Sequence, residues 1–312
     1  MHKITTLDDH WLGRPRSIGT ALLESDGHRA IVDPGPGSTI DTLRKELGAR
    51  GVSVNDLEAI LLTHIHLDHA GSTGALVKEN PRVAVYVHAL GAPHLIDPSK
   101  LLASAARLWP DNLRELFGEA LPVAESNLRV LEGGETITLG SRKIAVAYTP
   151  GHASHHVSYF ENVEGVAFVG DTTGVSIEGL SYVMPATPPP DIDLRLWDSS
   201  LATILERKPQ RLFLTHFGFS ENPAAHVEQF RERLHRWMET TEKILQTAKN
   251  DAGPMASFVA AMRAEIGEHL PAEEVEHYVA TAGLNLSFLG LARHAHKRAQ
   301  AASSSAKTIS SS

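Results

Sequence analysis

The sequence contains no cysteine among its 312 residues. This absence excludes disulfide bonds, thiolate zinc ligands, iron–sulfur clusters and a cysteine nucleophile. Long hydrophobic runs are missing as well, since no uninterrupted apolar stretch approaches the ~20 residues that a membrane helix needs. Segment 1–9 lacks the apolar core of a signal peptide. We therefore expect a cytoplasmic protein with no membrane partner.

Basic residues are outnumbered, with 29 Lys and Arg against 37 Asp and Glu and a net charge of -8. Such a balance gives no general attraction for a phosphate backbone, so we expect a small-molecule substrate rather than a nucleic acid. Hydrophobic residues make up 42% and charged residues 21%, which indicates a globular body.

The pattern of strands and helices predicts an α/β domain over residues 1–220. Within this domain, residues from about 92 to 125 are predicted to form a helical insertion interrupted by prolines. A C-terminal helical region is predicted over 221–300. Its apolar stripe of Phe230, Leu234 and Met238 could pack in the core or form the interface of a homodimer. A disordered tail rich in Ser and Ala is predicted over 301–312. Strands are predicted at 18–24, 29–33, 59–63, 82–87, 128–131, 137–139, 143–148, 157–160, 166–169 and 212–215.

The strongest chemical signal is the segment 63–71, Thr-His-Ile-His-Leu-Asp-His-Ala-Gly, directly after an apolar strand. Its potential metal ligands are His64, His66, Asp68 and His69. Because side chains alternate along a strand, the first two histidines would share one face, and a following loop would turn the other two residues toward a neighbouring site. Imidazole and carboxylate ligands suit zinc, iron or manganese.

Further segments present polar residues in a similar way. The strand at 166–169 leads to Asp171, the strand at 212–215 ends on His216, and a turn presents His152. Strand ends often converge on one edge of an α/β fold, where ligands bind. A lone histidine at a strand end is usually structural, but so many histidines and aspartates buried together without a cation would be costly to desolvate. The pattern therefore predicts a metal site.

Residues 63–71 resemble the signature of the metallo-β-lactamase fold superfamily, and the resemblance extends over about residues 18–218. The superfamily's order is matched by Asp33-Pro34-Gly35, Thr149-Pro150-Gly151-His152, Gly170-Asp171 and Thr215-His216. The sequence is most similar to the glyoxalase II-like group, including uncharacterised members with a Gly-His-Ala-Ser-His-His segment. The resemblance implies a four-layer αβ/βα sandwich with the site at one edge, here followed by the C-terminal helical extension.

The resemblance also implies a dinuclear site for two divalent ions, which we expect to be zinc, with iron or manganese as alternatives. One ion would be bound by His64, His66 and His152. The second would be bound by Asp68, His69 and His216, with Asp171 between the two. Asp68 would in addition orient the attacking nucleophile.

The implied reaction is hydrolysis of a small ester, thioester or lactone by a metal-bridging hydroxide. The sequence contains no Gly-x-Ser-x-Gly nucleophile elbow, which agrees with a metal-bound hydroxide rather than a serine as the nucleophile. A phosphodiesterase or phosphotriesterase with the same ions is the first alternative. An iron-dependent sulfur oxidoreductase is the second, although Leu67 stands where such relatives often carry alanine. A non-catalytic metal-binding protein is the third.

Three further residues are predicted near the site. Tyr182 follows the strand that leads to Asp171 and is a candidate contact for the substrate carbonyl, with packing as the alternative. His94, in the insertion, is a second candidate for the cleft. His156 lies four residues after His152 and would orient a ligand by hydrogen bonding, unless it is a surface histidine in a His-rich loop.

Overall fold

The computed structural model describes residues 2–247 and 253–309, with side chains up to residue 301. Two six-stranded sheets form its centre. The first sheet, in spatial order, contains β1 His2–Asp8, β2 Gly19–Ser25, β3 His28–Val32, β4 Ala59–Leu61, β5 Ala84–His88 and β6 Leu128–Leu131. The second sheet contains β7 Thr136–Leu139, β8 Arg142–Tyr148, β9 Val157–Glu161, β10 Val166–Phe168, β11 Arg211–Leu214 and β12 Gly218–Ser220, and neighbouring strands in the chain are also neighbours in this sheet.

Helices cover the outer faces of both sheets and extend beyond them. The first group is α1 Ile40–Gly48, α2 Leu67–Ala70, α3 Thr73–Glu79, α4 Ala92–Ile96, α5 Ser99–Leu108 and α6 Leu113–Phe117. The second is α7 Leu194–Glu206, α8 Pro223–Thr247, α9 Pro254–Gly267, α10 Ala272–Ala282 and α11 Leu284–Ile309. None of these described helices combines the length and apolar character that crossing a membrane requires.

The alternation of side chains along the strands produces the layers. Between the sheets, Leu23 and Leu61 share a buried cluster with Val146 and Phe168. The opposite face of the first sheet packs on α1 and α3. That of the second packs on α7 and α8, where the predicted apolar stripe of Phe230, Leu234 and Met238 is buried. The predicted four-layer α/β sandwich with C-terminal helices is therefore confirmed, and the stripe is core.

Parallel pairing brings strand ends to one edge. β4 is parallel to β3 and β5, and β10 is parallel to β11.

Between β2 and β3, Asp26 and Gly27 form the predicted hairpin turn, both with positive φ, 55° and 91°. The predicted strands coincide with β2 to β11 within about two residues, whereas β1, α7 and β12 were not predicted.

The insertion predicted at about 92–125 consists of α4, α5 and α6. The predicted boundary at residue 220 does not coincide with a break in the core, because one buried cluster joins the outer face of the second sheet to α8, α9, α10 and α11. The division into 1–220 and 221–300 and the homodimer stay predictions. The helix α11 is described as far as Ile309, within the segment where a disordered tail is predicted from residue 301, and residues 310–312 lie outside the described residues. The tail stays a prediction.

The C-terminal helix α11 lies directly on the loop at 186–192. A Cβ at Gly290 would overlap the carbonyl oxygen of Thr187 and crowd Ile192. Next to this contact, the Thr187 hydroxyl donates to Ser287 O at 3.1 Å. The absence of a side chain at Gly290 therefore fixes how closely α11 approaches the loop.

We expect Gly290→Ala to lower the free energy of unfolding by about 1–3 kcal/mol, the usual cost of overpacking a buried contact. Gly267→Ala is the matched control, because a Cβ there meets nothing within 4 Å. This second change should leave the free energy unchanged or raise it by up to about 1 kcal/mol. Urea denaturation measures both, and equal effects of the two substitutions would contradict the close approach.

Candidate metal centre

The seven residues predicted as ligands meet at the edge where β4, β10 and β11 end. They are His64, His66, Asp68, His69, His152, Asp171 and His216. The strand β4 stops at Leu61, and a segment that is neither helix nor strand leads from it to His66, whose ψ is 149°. The short helix α2 begins at the next residue and carries Asp68 and His69 in its single turn. This change of backbone direction explains how one short motif supplies both halves of the cluster.

Three histidines form the first half. His66 Nδ1 lies 2.9 Å from His64 Nε2 and 3.0 Å from His152 Nε2. Ring nitrogens this close either share a proton or point their lone pairs at a common position. The rings are arranged edge to face, at interplanar angles of 79° and 70° around His66. Such an arrangement is suited to binding one cation.

The second half contains Asp68, His69 and His216. Asp68 Oδ2 is 3.4 Å from His216 Nε2 and 3.8 Å from His69 Nε2. Asp171 lies between the halves, with Oδ2 at 3.4 Å from His152 Nε2 and Oδ1 at 3.2 Å from His69 Nε2. One carboxylate therefore faces both groups, one oxygen to each.

Two buried atoms of this cluster, His69 Nε2 and Asp171 Oδ1, lie 3.2 Å apart without the geometry of a hydrogen bond, and neither has another hydrogen-bond partner within the described part of the chain. Burying a polar atom without a partner costs free energy, so these atoms call for a ligand. The donors present are imidazole nitrogens and carboxylate oxygens, which suit zinc, iron or manganese. The residues therefore fit a divalent metal.

The charge state of the first half also suits a metal. Burial, reinforced by the neighbouring histidines, lowers the pKa of His64 well below its usual value and that of His66 to about 4. Burial lowers the pKa of His152 too. These rings are thus neutral at physiological pH, which is the form that binds a metal.

The second half is strongly polarised. Burial alone would raise the pKa of Asp68 and Asp171, but the nearby histidines outweigh it, bringing Asp68 to about 2 and Asp171 well below its usual range. In turn, these carboxylates outweigh burial at His69 and raise its pKa, and the same holds for His216. The carboxylates therefore favour positive charge at this point, which a bound cation would supply.

Asp33 holds the cluster from behind and was not among the predicted site residues. Its carboxylate accepts hydrogen bonds from Thr63 N and Oγ1 at 2.8 and 2.7 Å, from Thr215 Oγ1 at 2.8 Å and from His69 Nδ1 at 2.9 Å. Its backbone is left-handed, with φ 49°. The turn Asp33-Pro34-Gly35 was the signal that could have revealed it.

Backbone carbonyls orient two more rings. His152 Nδ1 donates to Ala186 O at 3.0 Å, and His216 Nδ1 donates to Ser17 O at 2.8 Å. A proton held on Nδ1 leaves the lone pair on Nε2 for a metal. The loop that contacts α11 therefore also sets the orientation of His152.

His156 is buried, so it is not a surface histidine. Its Nδ1 lies 3.1 Å from both Thr149 Oγ1 and Thr172 Oγ1, and its ring stacks on His64 at 5.0 Å. It therefore sits behind the cluster as predicted, with its hydrogen bonds to threonines rather than to a ligand. Its orienting role stays a prediction.

His155 is a residue that the sequence analysis missed. Its ring centroid is 5.6 Å from that of His66, and its Nδ1 accepts a long bond from Ile65 N at 3.4 Å. Burial, with the neighbouring histidines, lowers its pKa well below the usual value. The His-His pair at 155–156 was the available signal, but only the structure shows that its first member faces the cleft.

A cleft of about 670 Å³ opens onto the cluster. His66, Asp68, Asp171 and His216 contribute to its floor, and His94 lines its side, as predicted. Tyr182 is not among the residues that line the cleft, and the packing alternative describes its surroundings. Its hydroxyl donates to Glu265 at 3.0 Å and its ring lies under Arg233, because α8 and α9 pack over it and separate it from the cleft.

The model of the metallo-beta-lactamase superfamily matches residues 14–216. The chain belongs to this superfamily. The predicted resemblance is confirmed, and with it the prediction of an enzyme of the metallohydrolase class.

Individual relatives are about 30% identical to this chain and match little more than half of it. The metallo-beta-lactamase fold-containing protein ST1585 of Sulfurisphaera tokodaii is 30% identical over 186 residues, which are 59% of this chain and 69% of that protein. A hydroxyacylglutathione hydrolase of Methylobacterium sp. is 31% identical over 190 residues, 58% of this chain and 59% of that enzyme. Against several such hydrolases the chain thus covers less than two thirds of their length.

Solved structures confirm the fold. The crystal structure of the archaeal ST1585 protein superimposes with a TM-score of 0.65 at 19% identity, covering 93% of this chain and 98% of that one. The metallo-beta-lactamase family protein TTHA1429 from Thermus thermophilus gives 0.65 at 20% identity, covering 90% and 89%.

We expect Asp33→Asn to weaken zinc binding about 10- to 100-fold, the usual effect of losing a partner that orients a metal-binding histidine. Asparagine tolerates the left-handed backbone, but its amide group cannot accept all the bonds that Asp33 accepts. Competition with a chromophoric chelator measures the affinity. Asp56→Asn, in the exposed turn at Val54–Asp56, is the control. If both variants bind zinc like the parent, Asp33 does not support the site.

A pH-dependent contact ties α8 to the turn after Asp171. His226 Nε2 donates to Thr173 O at 3.0 Å, and burial lowers the pKa of His226 to about 4. Because the unfolded chain, with a histidine pKa of about 6.5, binds the proton more readily, this contribution to stability is present above pH ~6.5 and is lost as the pH falls toward 4.

We expect the metal-free parent to lose about 3 kcal/mol more free energy of unfolding than His226→Gln between pH 7 and pH 4. The glutamine keeps a donor but does not titrate. Urea denaturation of both proteins at the two pH values gives the difference. Parallel losses would show that His226 does not titrate as a buried neutral ring.

Proposed function

We propose that this chain hydrolyses a small ester, thioester or lactone with two divalent metal ions, which we expect to be zinc. The observation that supports this best is the position of Asp171, whose two oxygens face two separate ligand groups. One ion would be held by His64, His66 and His152. The other would be held by Asp68, His69 and His216. When bound, the two ions supply ionised water at neutral pH and polarise the substrate carbonyl.

Asp68 and Asp171 both line the cleft, and Asp68 is the more exposed of the two. Its side chain is 25% exposed, against 6% for Asp171. We assign to Asp68 the role of accepting a hydrogen bond from the attacking water and directing its lone pair at the carbonyl carbon. The oxygen of water adds to that carbon, the C–O or C–S bond breaks, and the alcohol or thiol leaves with a proton, so that an acid and an alcohol or thiol are formed.

The alternatives fit the cleft less well. Beyond the cluster, the charged side chains among the described residues that line it are Lys100 and Asp191. The two ions would balance the charge of a reacting phosphodiester, but any further phosphate of such a substrate would find only one exposed lysine in the described lining. A single-iron sulfur oxidoreductase would use one ligand group, with Asp171 as a further ligand, and would leave the other group of histidines and carboxylate without a metal.

The test is turnover by the purified chain, first stripped of metal and then loaded with zinc, manganese or iron. The panel contains p-nitrophenyl esters, lactoylglutathione, a homoserine lactone and phosphate diesters. We expect ester, thioester or lactone turnover with two ions per chain, measured by mass spectrometry. Turnover of phosphate diesters alone would favour the phosphodiesterase, and one iron with no hydrolysis would favour the oxidoreductase.

His66→Ala should abolish turnover, because Nδ1 of His66 lies next to Nε2 of both His64 and His152 in the first half of the cluster. The far-ultraviolet circular dichroism should stay that of the parent. His28→Ala is the matched control, since this exposed histidine pairs with Glu58 at 2.8 Å, outside the cluster. Full turnover by His66→Ala would refute the metal assignment.

A further inference from the structure

One wall of the cleft begins in the ligand-bearing motif itself. Leu67, between His66 and Asp68, belongs to a buried apolar cluster with Trp11, Ala105 and Phe117. Half-buried side chains of α5 and α6 and of the segment between them extend this cluster along the cleft: Leu101, Trp109 and Leu116. The apolar surface therefore runs without a break from the metal-binding motif into the insertion.

This wall is pre-formed. Trp11 Nε1 donates to Leu116 O at 2.7 Å, and the Ser38 hydroxyl donates to the same oxygen at 2.7 Å. The rings of Trp109 and Phe117 meet edge to face at 4.8 Å. Because these bonds and contacts fix the wall before any ligand enters, binding there does not have to order it.

The facing walls are apolar as well. They come from the three prolines 188–190, from the last residues of α10 and Gly283 after it, and from Leu286 in α11. Lys100 and Asp191, the charged residues noted above, are exposed at the rim. The other polar side chains that the described lining adds to the cluster carry no formal acidic or guanidinium charge: His94, Ser104, Asn112, Ser154, His155 and Thr281.

Building on the proposed hydrolase function, we propose that the substrate carries an extended, uncharged acyl chain. The chain would lie along α5 and α6 with its carbonyl at Asp68. The cleft ends on the cluster, so an occupant of the apolar part places one end at the reacting position. Each buried methylene gains free energy from this surface. Glutathione, with its two carboxylates, would find one lysine there, and is therefore not the expected leaving group.

The first experiment measures kcat/KM of the zinc-loaded full chain for straight-chain p-nitrophenyl esters and N-acetylcysteamine thioesters from acetyl to dodecanoyl. We expect at least a tenfold rise from acetyl to decanoyl, with an upper bound of about fourfold per fully buried methylene. A second readout is independent of turnover. Calorimetry measures the affinity of the corresponding S-alkyl thioethers, which cannot be hydrolysed, and the affinity should rise with chain length.

Variants of α5 locate the effect. Ser104 and Leu108 line the cleft, whereas Ala103 and Ala106 lie exposed on the same helix outside it. Ser104→Phe fills the cleft and Leu108→Asp places a charge in it, so each should lower the decyl-to-ethyl affinity ratio at least tenfold. The matched controls Ala103→Phe and Ala106→Asp should leave this ratio unchanged.

The outcomes separate the two proposals. Turnover of short esters with no effect of chain length, together with thioether affinities that do not depend on length, would overturn the acyl-chain proposal and leave the hydrolase standing. Thioether affinities that rise with length and respond to the α5 variants, with no ester, thioester or lactone turned over, would support the apolar site and overturn the hydrolase. Equal responses of the variants and their controls would place the chain elsewhere and overturn the proposal.

Discussion

The structure depends on one electrostatic constraint, the burial of Asp171 among histidines at the meeting edge of two sheets. A buried carboxylate is tolerated only when positive charge or hydrogen-bond donors compensate it. Here His69 and His216 carry raised pKa values because of the carboxylates, while the three rings of the other half are held neutral. A pair of cations would satisfy both halves at once, which explains why neutral rings and anionic carboxylates lie side by side.

The fold serves this constraint from several directions. Asp33 joins the ends of β3, β4 and β11 through bonds to Thr63, Thr215 and His69. The loop at 186–192 orients His152 through the carbonyl of Ala186, and α11 packs against this loop at Gly290. The C-terminal helices are therefore part of the support of the site, and residues far along the chain determine the geometry of a motif near its beginning.

The part of the site that could be predicted is the part encoded locally. The residues of the 63–71 motif are adjacent in sequence, and Asp171 and His216 each follow an apolar strand, so strand-end convergence was enough to group them. Asp33 escaped because its role rests on a left-handed backbone and on bonds to residues 30, 36 and 182 positions away. For Tyr182 the sequence left substrate contact and packing open, because its burial under α8 and α9 is set by tertiary packing, which no local pattern reports. The edge strands β1 and β12 were missed for a related reason, since few of their residues are buried.

The most direct measurement of the central claim is anomalous X-ray diffraction from crystals of the zinc-loaded chain, recorded on both sides of the zinc absorption edge. We expect two anomalous peaks, one within bonding distance of His64, His66 and His152, the other within bonding distance of Asp68, His69 and His216, with an oxygen of Asp171 next to each. Density for Asp171 with no anomalous peak beside it, or a single peak that leaves one half of the cluster without a metal, would contradict this expectation.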